Sequence, residues 1–156
     1  MPSAPVETHA AAPVCAATRL PPRLILYDNI CGFCDASVQY LLDRDPDGHC
    51  HFAALQGEVA AVLRAQNPGA LPEDVDTVAY IDNTGDELRI LLRSRAIFAI
   101  FGELDGWLRC LRWLSVLPQP LTDIAYRAFA AMRYRLFGKL DSCRIPSAEE
   151  RGRFLD

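Results

Sequence analysis

One stretch constrains this chain more than any other: Arg23-Leu-Ile-Leu-Tyr-Asp28-Asn29-Ile30-Cys31-Gly-Phe-Cys34-Asp-Ala-Ser-Val38. The unbroken apolar run Leu24 to Tyr27 predicts a buried strand. Asp28-Asn29 favour a turn. From Cys34 the apolar residues change to helical spacing, with Cys34, Val38, Leu41 and Leu42 at i, i+4, i+7 and i+8. Two cysteines three positions apart therefore fall where a strand hands over to the first turn of a helix. Unpaired backbone N–H groups and the positive end of the helix dipole there favour a thiolate over a thiol.

The spacing also suits a reversible disulfide. Residues three apart on a helix have Cβ atoms roughly 5–6 Å apart, and a disulfide needs Cα atoms about 4.4–6.8 Å apart. Cys34 begins the apolar stripe and Cys31 lies one turn nearer the solvent, which makes Cys31 the expected attacking thiolate and Cys34 the resolving thiol. A C-x-x-C after a strand, inside a βαβ pattern, is read as redox chemistry. Two other readings stay open. The pair is also half of a zinc site, which His49, Cys50 and His51 would have to complete, although strand alternation points the two histidines away from Cys50. Or the cysteines are small apolar core residues.

With 156 residues, the chain is long enough for one domain with a proper core. Charge is unevenly spread: residues 1–106 carry 7 basic and 15 acidic side chains, residues 107–156 carry 9 and 5. A basic C-terminal third can meet acidic surfaces or lipid headgroups. No aromatic-basic motif accompanies it, so no nucleic-acid partner is expected, and membrane-surface contact is the weaker expectation against ordinary packing. Six cysteines would fit a secreted disulfide framework, but Met1 to Thr18 lacks a basic leader and an unbroken apolar core. Residues 1–22 read as a disordered tail, with His9 and Cys15 incidental. No stretch reaches the roughly 18 apolar residues of a membrane span, and the cytoplasm is the default expectation.

Residues 23–156 read as a single domain, core 23–106 plus a helical extension 107–156. A helix from about Cys31 to Asp43 stops at Asp45-Pro46-Asp47-Gly48. A strand follows at Cys50–Leu55, a helix from Gly57-Glu58 to Asn67-Pro68-Gly69, and strands Thr77–Ile81 and Leu88–Leu92 as an antiparallel hairpin. Ser94 is the expected cap of a third helix, with Ile97, Ile100, Phe101 and Leu104 inward. The order β-α-β-α-β-β-α is the thioredoxin-like arrangement, an α/β fold with a four-stranded mixed sheet flanked by helices. In the extension Trp107, Leu108, Cys110, Leu111 and Leu114 continue an apolar face. Thr122 is the expected cap of a longer helix with Leu121, Ala125, Ala128, Phe129, Met132 and Leu136 on one side. Ser147-Ala-Glu-Glu150 matches a capping box. Cys50 and Cys110 are expected in the core.

Leu26-Tyr-Asp28-Asn29-Ile30-Cys31-Gly-Phe-Cys34 resembles the D-G-x-C-x-x-C signature of the DCC family of thiol-disulfide oxidoreductases, a thioredoxin-like group. Ala125-Tyr126 through Arg133-Tyr-Arg-Leu-Phe137-Gly138, and Cys143-Arg-Ile-Pro146, are similar to its C-terminal motifs, so the resemblance covers roughly residues 23–156. Three departures stand out. Asn29 occupies the usual glycine position, where asparagine tolerates a left-handed backbone. The dipeptide between the cysteines is Gly32-Phe33, without the proline of thioredoxin. And Asp76-Thr77 stands where thioredoxins place a cis-proline that captures substrate backbone and keeps metals off the cysteines.

The resemblance and the pair together imply thiol–disulfide exchange with a disulfide-containing protein or small thiol as substrate, another thiol as reductant, and neither a bound cofactor nor a metal. Asp28 would shuttle the Cys34 proton or cap the helix, and Asp35 would mainly serve cap and dipole. Cys143 is carried in by the resemblance as an accessory thiol. The rival from another class is a non-catalytic binding module that holds zinc or docks a partner.

Overall fold

A computed structural model describes residues 10–11, 20–73, 77–139 and 146–155. Its strands are β1 (Ala10–Ala11), β2 (Arg23–Tyr27), β3 (His51–Ala54), β4 (Ala79–Asp82) and β5 (Leu88–Leu92). Its helices are α1 (Gly32–Arg44), α2 (Glu58–Gln66), α3 (Arg93–Glu103) and α4 (Gln119–Phe137), with 3-10 turns at Trp107–Val116 and Arg151–Arg153. The sheet order is β1-β5-β4-β2-β3. β2 runs parallel to β3 and antiparallel to β4, and β4 and β5 form the expected hairpin. The four principal strands thus make the mixed sheet that the sequence predicts, with β2 in its interior, as an unbroken apolar strand requires. The pair Ala10–Ala11 adds an edge to β5 from within the stretch read as a tail. Leu20 is also buried, and the Pro22 carbonyl accepts the Asn83 N–H at 2.8 Å, so ordered chain begins before residue 23.

Alternation along β2 builds two cores. Leu24 and Leu26 point to one face and pack with Ala53, Ile81, Leu88 and the α2 residues Ala60 and Leu63. Ile25 points to the other and packs with Phe52, Tyr80, Val38 and Leu41 of α1, and Ala96 and Ile100 of α3. Since period two sends neighbours to opposite faces, a sheet with all of Leu24–Leu26 buried must be covered on both sides. β5 enters α3 directly through Arg93, whose φ of 53° turns the chain without a loop. Ser94 is no cap: it is buried, and its hydroxyl bonds Asp123 Oδ1 at 2.6 Å and Thr122 Oγ1 at 3.0 Å. It ties α3 to α4 instead.

The extension packs differently from the expectation. α4 starts three residues before Thr122, after Pro118, with Pro120 in its first turn where a missing N–H costs nothing. Thr122 hydroxyl instead donates to the Gln119 carbonyl at 3.0 Å. Most of the stripe expected to face the core faces solvent: Leu121, Met132 and Leu136 are all at least half exposed, and Ile124 beside them is 66% exposed. Cys110, also expected in the core, is exposed. Phe129 alone of that stripe turns inward, and it shares the inner face of α4 with Tyr126, Ala130 and Arg133, packing edge-on against Phe33 of α1 with centroids 4.8 Å apart. Phe137 adds a second contact to Phe33 at 4.9 Å. A ring cluster and one buried arginine outweigh a longer aliphatic stripe because they satisfy partners already fixed on α1 and β2.

At the far end the capping box forms, with Ser147 N–H donating to Glu150 Oε2 (2.8 Å) and Glu150 N–H to Ser147 Oγ (3.3 Å). Arg153 then bonds the Asp45 carboxylate and the Cys50 carbonyl, and Leu155 N–H reaches the Phe52 carbonyl at 3.0 Å. Among the described residues no helix is long and apolar enough to cross a membrane.

This arrangement predicts that Leu136→Glu and Ile124→Glu each change unfolding free energy by no more than about 0.5 kcal/mol, as exposed sites do. Phe33→Ala, which removes the ring both Phe129 and Phe137 touch, costs on the order of 2–3 kcal/mol. Urea titrations of the three variants check it, and a large loss from either glutamate would contradict the outward stripe.

Candidate active site

The cysteines lie just past the C-terminal end of β2. The turn that delivers them is closed by Asp28, whose carbonyl accepts from Cys31 N–H (3.4 Å) and whose Oδ1 accepts from Ile30 N–H (3.2 Å). This side-chain closure lets Asn29 keep a negative φ: among the described non-glycine residues only Arg93 has a positive one. The left-handed backbone expected at Asn29 is therefore not used.

Cys31 is the N-cap of α1. Its Sγ accepts the Cys34 N–H at 3.4 Å, so one of the helix's unpaired donors points at this sulfur. A negative charge is favoured at such a position. Cys34 stands one turn on, half-buried. Its pKa is pushed up to about 12, first by burial and then by its hydrogen bond to the Cys31 sulfur and the charge there, while Arg133 pulls it down. Cys34 thus holds its proton.

Exposure reverses the expectation. Cys31 is fully buried (0%), whereas Cys34 is partly open. The cover comes from the chain just after α4. Lys139 makes a β-bridge with Cys31, and Gly32 N–H donates to the Gly138 carbonyl at 3.5 Å. Gly138 ends α4 with φ 76°, a conformation glycine adopts freely, and so turns the chain onto the cysteine turn. Gly32 is needed for a different reason: a Cβ there would lie 2.8 Å from the Phe137 carbonyl oxygen.

Asp28 is buried and surrounded by donors. Its Oδ1 also accepts from Gln56 Nε2 (3.0 Å), and its Oδ2 accepts from an Arg133 terminal nitrogen (2.9 Å) and from the Tyr134 hydroxyl. The other Arg133 terminal nitrogen lies 3.5 Å from Cys34 Sγ. Arg133, nearly buried, therefore stands between the carboxylate and the sulfur. Tyr134 rises to about 12, from burial first and its bond to Asp28 second, so its hydroxyl remains a donor. Asp35 occupies the first turn of α1, the end of the helix dipole that suits a carboxylate.

The structure so brings together Asp28, Cys31 and Cys34 and adds Arg133, Tyr134 and Gln56, to which sequence reasoning gave no role. A signal existed: a carboxylate at the end of a buried strand needs a buried cation, and Arg133 opens the motif Arg133-Tyr-Arg-Leu-Phe137-Gly138. Cys143 lies outside the described residues. His49, Cys50 and His51 sit at the start of β3, which pairs parallel with β2, at the opposite end of the strands from the cysteine turn. Cys50 is in the core and donates its N–H to Asp45 Oδ2 at 2.8 Å. Among the described residues no three His, Cys, Asp or Glu side chains converge as a metal site.

Behind Cys34 lies a cavity of about 630 Å³ between α1, α3, α4 and the sheet. Val38, Ile97, Phe98, Phe101 and Phe129 are among its walls, and Cys34 and Arg133 stand in the same lining.

Two outcomes follow from the geometry. Arg133→Met strands the Asp28 carboxylate in the interior and should cost about 3–5 kcal/mol in urea unfolding; a near-neutral result would show the ion pair to be dispensable. Gly32→Ala forces the Phe137 carbonyl away, so Cys31 should alkylate at least about tenfold faster than in the parent under limiting iodoacetamide; unchanged labelling would mean that residues 137–139 are not its cover.

Comparison with known proteins places this site in a family. Residues 25–139 match the DCC1-like thiol-disulfide oxidoreductases, a span that takes in the cysteine turn, Arg133 and the covering segment. The chain is 33% identical over 138 residues to the uncharacterized protein YuxK of Bacillus subtilis (strain 168), covering 88% of this chain and 96% of that one. It is 28% identical over 123 residues to the DCC family protein At1g52590, chloroplastic, of Arabidopsis thaliana, covering 78% and 69%. No solved structure matches. With its cysteine turn, its buried carboxylate and its helix α4 all inside the matched span, the chain belongs to the DCC1-like thiol-disulfide oxidoreductase family.

Proposed function

We propose that the protein exchanges a Cys31–Cys34 dithiol for a disulfide with protein or small-thiol substrates. The observation that carries this reading is the geometry of the pair at the α1 N-terminus, where Cys31 Sγ accepts the Cys34 N–H and Cys34 Sγ stands beside the Arg133 guanidinium. In the reducing direction Cys31 thiolate attacks one sulfur of a substrate disulfide. The substrate S–S bond breaks, its other sulfur leaves as thiolate, and a mixed disulfide remains on Cys31. Cys34 then loses its proton and attacks Cys31 Sγ, which closes the protein disulfide and releases the second substrate thiolate.

Resolution is the step that needs help, since Cys34 sits at about 12. The neighbouring guanidinium of Arg133 supplies it, by stabilising the thiolate as it forms. In this reading Asp28 is a positioning residue: it fixes Arg133 and closes the turn, and it reaches Cys34 through that guanidinium. For a bulky substrate to reach Cys31, residues 137–139 must lift.

Oxidised protein should lose two titratable thiols and regain them in dithiothreitol, Cys34→Ser should trap mixed disulfides on Cys31, and insulin should be reduced with dithiothreitol as donor. Bound zinc whose chelation unfolds the chain would instead favour a binding module. The pH dependence separates the two sulfurs. In Cys31→Ser, burial still holds Cys34 protonated, and below its pKa the thiolate fraction rises tenfold per pH unit. Iodoacetamide labelling of Cys34 should climb by about that factor per unit between about pH 7 and 10 without levelling; a plateau below about pH 9 would refute the assignment.

A further inference from the structure

The two sulfurs face different surroundings. Cys31 lies under residues 137–139, while Cys34 stands in the wall of the 630 Å³ cavity. That volume is in the range of small-molecule sites, about 300–1,000 Å³. Its walls are almost wholly apolar, and the guanidinium among them, Arg133, is already engaged by Asp28 and Tyr134. Among the described residues a charged tripeptide thiol such as glutathione finds no matching partners there, and leaving its ammonium and carboxylates dry is costly.

Nor do the described residues around it favour a peptide. Recognition by strand addition needs open backbone groups beside the sulfur. Here Gly32 N–H is taken by Gly138, Val78 N–H by the Tyr126 hydroxyl (3.0 Å), and the Val78 carbonyl by Arg93 N–H (3.0 Å). What fits is a small, neutral, largely apolar molecule that brings its own sulfur.

Resting on the redox reading above, we propose that the cavity admits a small apolar dithiol, which reduces the Cys31–Cys34 disulfide by attack on Cys34. One substrate thiolate bonds to Cys34 Sγ, the Cys34–Cys31 bond breaks, and its electron pair leaves on Cys31, where the helix N–H waits. Attack at Cys34 is favoured by access, since Cys34 stands in the cavity wall while Cys31 is covered. The second substrate thiol then loses its proton and attacks the substrate's own first sulfur. A cyclic disulfide departs, and the Cys34 thiolate released takes up a proton at once. Two electrons have passed from the dithiol to the protein pair, and the cover over Cys31 has not moved. The protein would thus meet its reductant through Cys34 and the cavity, and its disulfide substrate at Cys31.

The test is to reduce disulfide-form protein with equal concentrations of dihydrolipoamide, an apolar dithiol, and dithiothreitol, a hydrophilic one, counting thiols with time. Dihydrolipoamide should be faster by about tenfold or more. Octanamide, which has the apolar chain but no sulfur, should slow dihydrolipoamide and spare dithiothreitol. Ile97→Trp and Ala36→Phe, which fill the cavity from α3 and from α1, should each reduce the preference to about twofold or less, with the dithiothreitol rate within about twofold of the parent. Equal rates for the two dithiols in the parent, or a preference that survives octanamide and both fillings, overturns the cavity route and leaves the Cys31–Cys34 exchange standing. Failure of the pair to form a disulfide at all overturns both.

Discussion

The site depends on one buried ion pair. Asp28 is fixed at the end of β2 by a turn that its own side chain closes, and a carboxylate so placed must find a cation. Arg133 of α4, 105 positions later, supplies it, and Tyr134 adds a second donor from the next position. Because Arg133 also faces Cys34, the interaction that docks α4 is the one that sets the electrostatics of the redox pair. The family match through residue 139 agrees with this: without α4 the core would carry an uncompensated charge beside its cysteines.

Docking α4 has two consequences. Its inner face encloses the apolar space behind Cys34, with Phe129 packed on Phe33 as one wall. Its C-terminal glycine turns the chain across Cys31, and Gly32 gives that chain room. Two sulfurs that the helix start places side by side are thus separated by what covers each. A helix N–H points at the covered one, and burial together with the neighbouring sulfur raises the pKa of the partly open one. Division of labour between them follows from packing as much as from position on the helix.

Much of the core was legible because it rests on local physics. The apolar run Leu24–Tyr27, the turn at Asp28-Asn29 and the change to helical spacing at Cys34 specified strand, turn and helix, and their succession with the later hairpin specified the mixed sheet. The capping box at Ser147–Glu150 was equally local, and both of its hydrogen bonds form. Misreadings arose where a residue's partner lies far away in the chain. Ser94 looked like a cap, since a serine at a helix start usually is one, but Thr122 and Asp123 claim its hydroxyl. The aliphatic stripe on α4 looked like a core face, since nothing local shows that a ring on α1 and a carboxylate on β2 select the adjacent face.

The sequence by itself determined that two cysteines stand at a helix N-terminus after a buried strand, because strand, turn and helix signals act over a few residues. It also determined the family, because the cysteine signature and the C-terminal motifs are written in the residues themselves. Only the tertiary structure decided which cysteine is open, what neutralises Asp28, and that a cavity lies behind Cys34. Each of these depends on where residues 126–139 return to the first strand and helix. That return is fixed by a desolvated charge pair and an aromatic cluster, whose partners lie about a hundred positions apart in sequence and meet only in the fold.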